Sequence, residues 1–184
     1  MYSMRQDLDE ILLTEDQIRQ RLDSLAGEIQ RDYADKDLTL VAILTGSVMF
    51  IADLLRRLPM QLRLDYIGIS SYRGETRSAG ELIVTKALKL DVRTRDVLVV
   101  DDILDSGLTL IKVREMILQL QPRTLKFCAF LEKDLPHHDK FQADYVAFHI
   151  PNKFVVGYGL DFRERYRNLP LVGTLKNEVI NRGA

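Results

Sequence analysis

The sequence predicts an α/β protein in which a mainly parallel, twisted sheet is flanked by helices. Short apolar, β-branched segments such as residues 97–100 alternate along the chain with segments whose apolar residues recur at helical spacing. This alternation is typical of parallel strands joined by helices that cover both faces of the sheet. The 184 residues, of which 46% are hydrophobic and 29% charged, suffice for a single domain over residues 1–184.

Three segments have the pattern of a helix. The first begins with a capping box at Thr14 and continues to about Tyr33 with one apolar face. The second, Val48–Leu58, is ended by Pro59, because proline disfavours helical geometry in the residue before it. The third covers residues 107–120, where apolar residues again recur at helical spacing.

Seven segments are predicted to be strands, because they are short, apolar or alternating in polarity, and mostly bounded by turn residues. They cover residues 39–44, 62–70, 81–90, 97–100, 124–131, 144–149 and 154–158. Residues 71–80 are polar, contain two glycines and are predicted to be a loop. The less regular N- and C-terminal segments are expected to form a small cap over the site that the strand ends create.

Composition and charge argue against several classes of function. A formal net charge of −1 gives no electrostatic basis for nucleic-acid binding. No apolar run approaches the ~20 residues that cross a bilayer, and the first residues lack the apolar core of a signal peptide. Cys128 is the only cysteine and lies in an apolar run, so we expect a buried, inert thiol and a reducing cytoplasmic location.

The most informative segment is Val97–Thr109, in which a buried strand is followed by acids and then by a turn that opens a helix. The acids are Asp101, Asp102 and Asp105, and the turn is Ser106-Gly107-Leu108-Thr109. Ligands of open α/β sheets bind at the carboxyl ends of the strands, and free amide groups at a helix N-terminus bind anions. A phosphate at residues 106–109 is therefore expected.

Asp101 and Asp102 would repel that phosphate, so they are expected to face another part of the same ligand. Carboxylates accept hydrogen bonds from sugar hydroxyls and help to hold hydrated Mg²⁺. Phosphoribosyl diphosphate has a phosphate, a diol and an affinity for metal, and therefore fits the segment. Considered alone, the segment could also be a surface turn whose acids are merely solvated.

Val97–Thr109 resembles the diphosphate-sugar binding motif of the type I phosphoribosyltransferases. The resemblance implies that Asp101 and Asp102 bind the ribose hydroxyls, directly or through Mg²⁺, and that residues 105–109 hold the 5′-phosphate. Asp105 matches the family residue that contacts N7 of the base, which makes it the candidate for proton transfer. Leu108 stands where relatives often have a polar residue, and it is expected to face the protein or a neighbouring subunit.

Leu44-Thr45-Gly46-Ser47 is a second strand-to-helix junction and a second candidate anion site. In the family this position is the diphosphate loop, which implies a cis bond between Leu44 and Thr45. Many relatives have Lys or Arg at the position of Thr45, so a role for the Thr45 backbone is expected rather than for its side chain. Without the resemblance, a simple strand-to-helix turn is an equally good interpretation.

The loop that contains Ser71 and Tyr72 matches the mobile lid of the family. By itself it would be interpreted as a solvated hairpin. A lid excludes water from reactive intermediates, and a ribosyl cation needs such protection.

The C-terminal third resembles the purine-specific branch, the hypoxanthine-guanine phosphoribosyltransferases. By this resemblance Lys133 donates to the 6-oxo group, Phe154 stacks on the purine and Val155 offers backbone groups to its edge. Asp161 matches the acid that helps to hold Mg²⁺ and diphosphate, and Arg167 matches an arginine that binds diphosphate. Each residue alone has an ordinary structural explanation; their occurrence in this order favours the resemblance.

These observations predict purine salvage: transfer of the 5-phosphoribosyl group to N9 of hypoxanthine or guanine, with xanthine left open. The resemblance implies a homodimer or a homotetramer. A related fold serves as a pyrimidine-responsive, RNA-binding regulator with uracil transferase activity, but the net charge and the purine pattern argue against it. An inactive scaffold is disfavoured because all the acids of the site are present.

Overall fold

A computed structural model describes residues 4–71, 82–135 and 141–182. After a short 3₁₀ turn at Met4–Asp7, the strands are β1 (Leu8–Leu13), β2 (Leu38–Leu44), β3 (Arg63–Ser71), β4 (Leu82–Lys86), β5 (Asp96–Leu104), β6 (Thr124–Lys133), β7 (Tyr145–Ile150) and β8 (Val172–Leu175). The helices are α1 (Glu15–Asp32), α2 (Val48–Leu55), α3 (Leu108–Leu118) and α4 (Asn177–Asn181).

The main sheet has six strands in the order β4-β3-β2-β5-β6-β7. All neighbouring pairs are parallel except β3 and β4, which are antiparallel. Strand β5 lies near the centre, where Val99 is in register with Val41 of β2 and Phe127 of β6. The mainly parallel sheet that the sequence predicts is confirmed.

Helices cover both faces of this sheet, as predicted. On β5, Leu98 and Val100 belong to the core cluster that contains residues of α1 and α2, whereas Val97 and Val99 belong to the cluster that contains residues of α3. Successive side chains of a strand point to opposite faces, so a strand buried on both sides is apolar throughout. This geometry explains why residues 97–100 are a continuous apolar run.

The two ends of the chain pair with each other in a small antiparallel sheet of β1 and β8. This sheet has its own apolar cluster, which includes Leu8, Val156 and Leu171. Lys153, just after β7, forms an ion pair of 2.6 Å with Glu10 of β1. The terminal segments are therefore regular strands rather than the irregular segments that the sequence led us to expect.

The predicted strand at residues 154–158 is wrong. Within it, Val156 forms only an isolated bridge to Gly173, and three successive residues have positive φ: +98° at Gly157, +49° at Tyr158 and +105° at Gly159. A strand requires negative φ at every residue, so the chain turns here instead. The apolar composition that suggested a strand reflects burial of Val156 and Tyr158 in two different clusters.

Several element boundaries also differ from the prediction. Helix α2 ends at Leu55, three residues before the predicted end at Leu58. The amides of Arg57 and Leu58 donate to carbonyls three residues back as the chain approaches Pro59, which is a tighter turn than an α-helix. Strand β5 continues to Leu104, so Asp101 and Asp102 belong to the strand rather than following it. The return strand expected over 81–90 is described from Leu82 and ends at Lys86.

Cys128 lies in the core with 1% of its surface exposed, and burial raises the pKa of its thiol. This confirms the expectation of a buried cysteine. Among the described residues, no helix combines the length and the apolar character that crossing a membrane requires.

Replacing Thr14 by Ala is expected to destabilise the fold by about 1 kcal/mol, because it removes the hydroxyl that accepts the Gln17 amide in the capping box of α1. The Gln17 amide donates to Thr14 Oγ1 over 3.3 Å, and the Thr14 amide donates to Gln17 Oε1 over 2.8 Å. Urea denaturation measures the loss. Thr14→Ser keeps the hydroxyl and should remain close to the wild type; equal stability of the two variants would contradict the role of the cap.

Candidate active site

The carboxyl ends of β2 and β5 meet at one edge of the sheet, because the two strands are neighbours and parallel. A cavity of about 490 Å³ lies at this edge. The predicted site residues that line it are Leu44, Thr45, Gly46, Asp101, Asp102, Asp105, Ser106, Gly107, Thr109, Asp161 and Arg167. Segments far apart in the sequence thus share one cleft, as the prediction requires.

Asp101 and Asp102 are the most buried charged groups of this cavity. Asp101 is only 5% exposed, and its Oδ1 accepts a hydrogen bond of 3.0 Å from the Asp102 amide. Burial, together with the neighbouring Asp102 carboxylate, raises the pKa of Asp101 well above its ordinary value. Burial also raises the pKa of Asp102, which hydrogen bonds and the Arg167 guanidinium partly offset. A cation or hydroxyl donors would therefore favour the doubly ionised pair.

Gly46 is in direct contact with this pair. A Cβ atom at position 46 would lie 1.5 Å from Oδ2 of Asp102, so only glycine fits here. The bond between Leu44 and Thr45 is cis, as expected from the resemblance. Ser47 donates its hydroxyl proton to the Ile43 carbonyl, and α2 begins at the next residue. The loop 44–47 is thereby packed against the end of β5.

The N-terminus of α3 forms the next wall. Gly107 is the N-cap residue, has a φ of +76° and offers no side chain to the first turn. The first helical bond at this end runs from the Ile111 amide to the Gly107 carbonyl, so the amides before it have no acceptor within the helix. Together with Ser106 and Thr109, these amides form a surface suited to a phosphate.

Arg167 carries a positive charge at the opposite side of the cavity. Its guanidinium donates to the Gly159 carbonyl over 2.8 Å and forms ion pairs with Asp161 at 2.9 Å and Glu164 at 3.1 Å. Asp161 also accepts a bond of 2.9 Å from the Glu164 amide. An anion that binds Arg167 must therefore compete with Glu164, whose side chain is largely exposed.

Lys133 does not line the cavity itself but reaches it through Asp105. Its Nζ atom lies 2.7 Å from Oδ2 of Asp105, and its side chain is 12% exposed against 51% for Asp105. Phe154 and Val155 lie outside the cavity lining. Val155 is buried, whereas Phe154 is exposed with one ring edge near Phe162, at 5.9 Å between centroids.

Leu108 does not line the cavity and is 53% exposed in this chain, so its contact with its own protein or with a neighbouring subunit stays a prediction. Ser71 is the last residue of β3. Tyr72 and the rest of the predicted lid lie outside the described residues.

The sequence did not identify several residues that line the cavity. Most are apolar wall residues, and the signal for them is their place at the ends of β2, β3 and β5 or in the first turn of α3: Ile43, Ile69, Ile103, Leu104 and Leu110. Glu164 was also missed, although its spacing of three residues from Arg167 is a recognisable ion-pair spacing.

The described residues contain no cluster of three or more side chains that could hold a metal ion by themselves. Asp101, Asp102 and Asp161, which the resemblance assigns to Mg²⁺, line the same cavity without forming a closed set of ligands. Mg²⁺ commonly takes one or two carboxylates and completes its shell with water and substrate phosphates. These acids fit that mode of binding.

A family model described as a phosphoribosyl transferase domain matches residues 10–163. The chain belongs to the phosphoribosyltransferase family. The transferase is 43% identical over 176 residues to a curated hypoxanthine-guanine phosphoribosyltransferase of Staphylococcus aureus strain Mu50, covering 96% of this chain and 98% of the relative. A curated protein of the same name from Staphylococcus epidermidis is 42% identical over 179 residues, covering 97% of this chain and 100% of the relative.

Solved structures agree with this assignment of the transferase. A hypoxanthine phosphoribosyltransferase of Staphylococcus aureus superimposes with a TM-score of 0.90 at 43% identity, covering 97% of this chain and 98% of that one. A ternary substrate complex of the hypoxanthine phosphoribosyltransferase from Trypanosoma cruzi superimposes with a TM-score of 0.88 at 36% sequence identity. The match covers 95% of this chain and 99% of that one. The type I fold predicted from the sequence is confirmed.

The resemblance assigns diphosphate to the loop 44–47, so replacing Gly46 by Ala is expected to lower the affinity of the transferase for inorganic diphosphate by about 100-fold, because the new methyl group displaces Asp102 or the loop. Isothermal titration calorimetry measures this affinity. Gly27→Ala is the matched control: Gly27 lies within α1, and its Cβ would be 3.6 Å from an Arg31 nitrogen. That variant should bind normally and gain up to about 1 kcal/mol of stability. Normal binding by Gly46→Ala would disprove the constraint.

Replacing Asp101 by Asn is expected to stabilise the free protein at pH 7 and to weaken its function. The folded-state pKa of Asp101 is raised, so the wild type loses stability as the pH rises from the unfolded value of about 4 through the folded value. Asparagine has no ionisable side chain and therefore does not lose stability in this way. Its side-chain oxygen still accepts the hydrogen bond from the Asp102 amide.

Thermal unfolding should therefore show an increase in Tm of about 3 °C or more at pH 7, which corresponds to about 1 kcal/mol in a chain of this size. The difference should shrink as the pH falls toward about 4. A variant that is less stable than the wild type at pH 7 would refute the electrostatic account.

Proposed function

We propose that this transferase moves the 5-phosphoribosyl group of 5-phosphoribosyl 1-diphosphate to N9 of hypoxanthine or guanine, giving IMP or GMP and diphosphate. The observation that carries the proposal is the cavity in which the Asp101–Asp102 pair, the N-terminus of α3, the loop 44–47 and Arg167 face one another. The names of the similar proteins support this choice of substrates.

The donor is held at its two charged ends. Its 5′-phosphate binds the amide groups and hydroxyls of residues 105–109, with Ser106 and Thr109 as side-chain donors. Its ribose hydroxyls donate to Asp101 and Asp102, which lie between the two anion sites. These hydrogen bonds satisfy carboxylates that burial otherwise disfavours in their ionised form.

The leaving diphosphate binds between the loop 44–47 and Arg167. The backbone of Thr45 and Gly46 and the Arg167 guanidinium provide hydrogen-bond donors. On binding, the ion pair between Arg167 and Glu164 is replaced by an ion pair between Arg167 and the diphosphate. Asp101, Asp102 and Asp161 would hold Mg²⁺, which would supply positive charge to offset the charge that develops on the diphosphate. The C1′–O bond breaks as C1′ gains oxocarbenium character, so stabilisation of the leaving group dominates the rate.

The purine binds at the Asp105–Lys133 pair. Lys133 Nζ donates to the 6-oxo group, and Asp105 takes or gives the proton at N7 as N9 forms its bond to C1′. The exposed ring of Phe154 stacks on the base, and the backbone of Val155 contacts its edge. The ion pair of 2.7 Å brings both groups to one place before the base arrives.

Several features of the molecule complete the proposal. Ser71 and Tyr72 belong to a lid that excludes water from the ribosyl cation. Residues 1–184 act as one domain whose terminal strands cap the site.

The exposed apolar side chains of Leu64, Tyr66 and Leu108 support a homodimer or a homotetramer. The lone buried cysteine supports a cytoplasmic location.

A spectrophotometric assay with donor and Mg²⁺ tests the substrate class directly. Hypoxanthine and guanine should be converted, whereas adenine and uracil should not, because they offer no 6-oxopurine edge to Lys133. One structural neighbour is named a hypoxanthine-guanine-xanthine phosphoribosyltransferase, so xanthine belongs in the panel as well. Turnover of uracil alone would replace the proposal with a pyrimidine transferase.

Replacing Asp105 by Asn is expected to lower kcat by about 100-fold or more, since a positioned proton carrier contributes at least that much. Donor affinity should remain within about twofold, because the amides of α3 still bind the 5′-phosphate. Steady-state kinetics and calorimetry separate the two quantities. Asp16→Asn, at an exposed position on α1, is the control for a lost carboxylate. An unchanged kcat in Asp105→Asn would remove Asp105 from the mechanism.

A further inference from the structure

Tyr158 has a backbone conformation that a tyrosine rarely adopts. Its φ is +49°, and it lies between Gly157 and Gly159, which also have positive φ. The ring is buried and packs on Phe130 at 4.8 Å between centroids, with 39° between the planes. A strained residue with a buried ring persists because its surroundings hold it there, and the phenol group is one of those contacts.

The hydroxyl of Tyr158 donates a hydrogen bond of 2.6 Å to Oδ2 of Asp53. Burial and this bond raise the pKa of Tyr158, so the hydroxyl keeps its proton and is the donor. Asp53 lies in α2, the helix that begins directly after the loop 44–47. The other carboxylate oxygen of Asp53 pairs with Arg56, which holds the acceptor in place.

A second contact, one residue after Tyr158, joins the segment around residues 157–159 to the loop 44–47. A Cβ atom at Gly159 would lie 1.9 Å from the carbonyl oxygen of Gly46, so the two backbones touch. Gly159 also exchanges hydrogen bonds with Arg167: its carbonyl accepts from Nη1 over 2.8 Å, and its amide donates to the Arg167 carbonyl over 2.9 Å. Tyr158 is thus connected through Gly159 to both the loop 44–47 and Arg167.

We propose that Tyr158 is a positioning residue for the donor diphosphate: its hydrogen bond to Asp53 sets the spacing between the loop 44–47 and the segment that carries Asp161 and Arg167. Tyr158 and Asp53 do not line the cavity, so they act through these neighbours. The inference rests on the proposed function, because it takes these two segments as the binding groups of the diphosphate.

A second pair of the same chemistry, in which Tyr145 is buried and Asp32 is exposed, provides a comparison. The hydroxyl of Tyr145 donates to Asp32, at the junction of α1 and β7. Tyr145 is the first residue of β7, so this pair lies at the amino edge of the parallel strands, opposite the cavity. Loss of the Tyr158 hydroxyl removes its bond to Asp53, whereas loss of the Tyr145 hydroxyl removes its bond to Asp32 and the bond of 3.3 Å that it accepts from Lys126 Nζ. Of these two pairs, only Tyr158–Asp53 joins the two proposed diphosphate-binding segments.

The test is the kinetics of Tyr158→Phe with the donor as the varied substrate. The KM for the donor should rise about tenfold, as expected when about 1.4 kcal/mol of binding is lost. The kcat and the KM for hypoxanthine should change less than about twofold, because the base site is formed by other residues. The Kd for inorganic diphosphate should rise by the same factor as the KM for the donor.

Three further variants separate positioning from stability. Tyr145→Phe should lower the free energy of unfolding by an amount similar to that lost in Tyr158→Phe. It should leave the KM for the donor unchanged. Asp53→Asn keeps an acceptor oxygen and should stay near the wild type, whereas Asp53→Ala should match Tyr158→Phe. Combining Tyr158→Phe with Asp53→Ala should add little to either single change, because both remove one interaction. Equal kinetic effects of Tyr158→Phe and Tyr145→Phe would overturn the proposal.

The outcomes distinguish this inference from the proposed function. If the wild type converts hypoxanthine and Tyr158→Phe binds the donor and diphosphate normally, the positioning role alone is wrong. If the wild type converts no base but binds diphosphate, the proposed function is wrong, and the weaker binding of Tyr158→Phe still supports positioning. A wild type that binds no diphosphate contradicts both.

Discussion

Two neighbouring carboxylates, Asp101 and Asp102, lie out of water at the end of the central strand, and the surrounding site is arranged around them. Burial raises the pKa of both, and the neighbouring Asp102 carboxylate raises that of Asp101 further. The free protein therefore bears an electrostatic cost that a ligand with hydroxyl donors and a cation relieves. This cost links stability to the proposed function, because the burial that disfavours the ionised pair is the feature that a ligand with hydroxyl donors and a cation would relieve.

The parallel sheet explains how this pair acquires its partners. Strands β2 and β5 are neighbours, so the loop after β2 meets the acids at the end of β5, and Gly46 leaves no space between them. Helix α3 starts beside them with amides that have no acceptor within the helix. The fold thereby places two acids between two backbone segments that are proposed to bind anions. Such an arrangement suits catalysis by positioning and by stabilisation of charge on the leaving group.

The segment after β7 contributes Asp161 and Arg167 to the site, and its backbone geometry places them there. Successive positive φ angles at residues 157–159 reverse the chain and bring Arg167 back over the loop 44–47. Arg167 is held by the Gly159 carbonyl and by two carboxylates, so its charge is in place before any ligand binds. The terminal strands β1 and β8 support this segment through the apolar cluster around Val156 and Leu171.

The parallel α/β fold, the capping box of α1 and the motif at residues 97–109 were predictable from the sequence, because they depend on local periodicity and on neighbouring residue types. The sequence placed Asp101, Asp105, Lys133 and Arg167 in one site only through a resemblance, since no local pattern encodes contacts over such separations. The tertiary structure alone decided that residues 154–158 turn rather than form a strand and that Gly46 touches Asp102. It also brought Tyr158 to Asp53. Such contacts arise where distant segments pack, and packing overrides the preference of each segment.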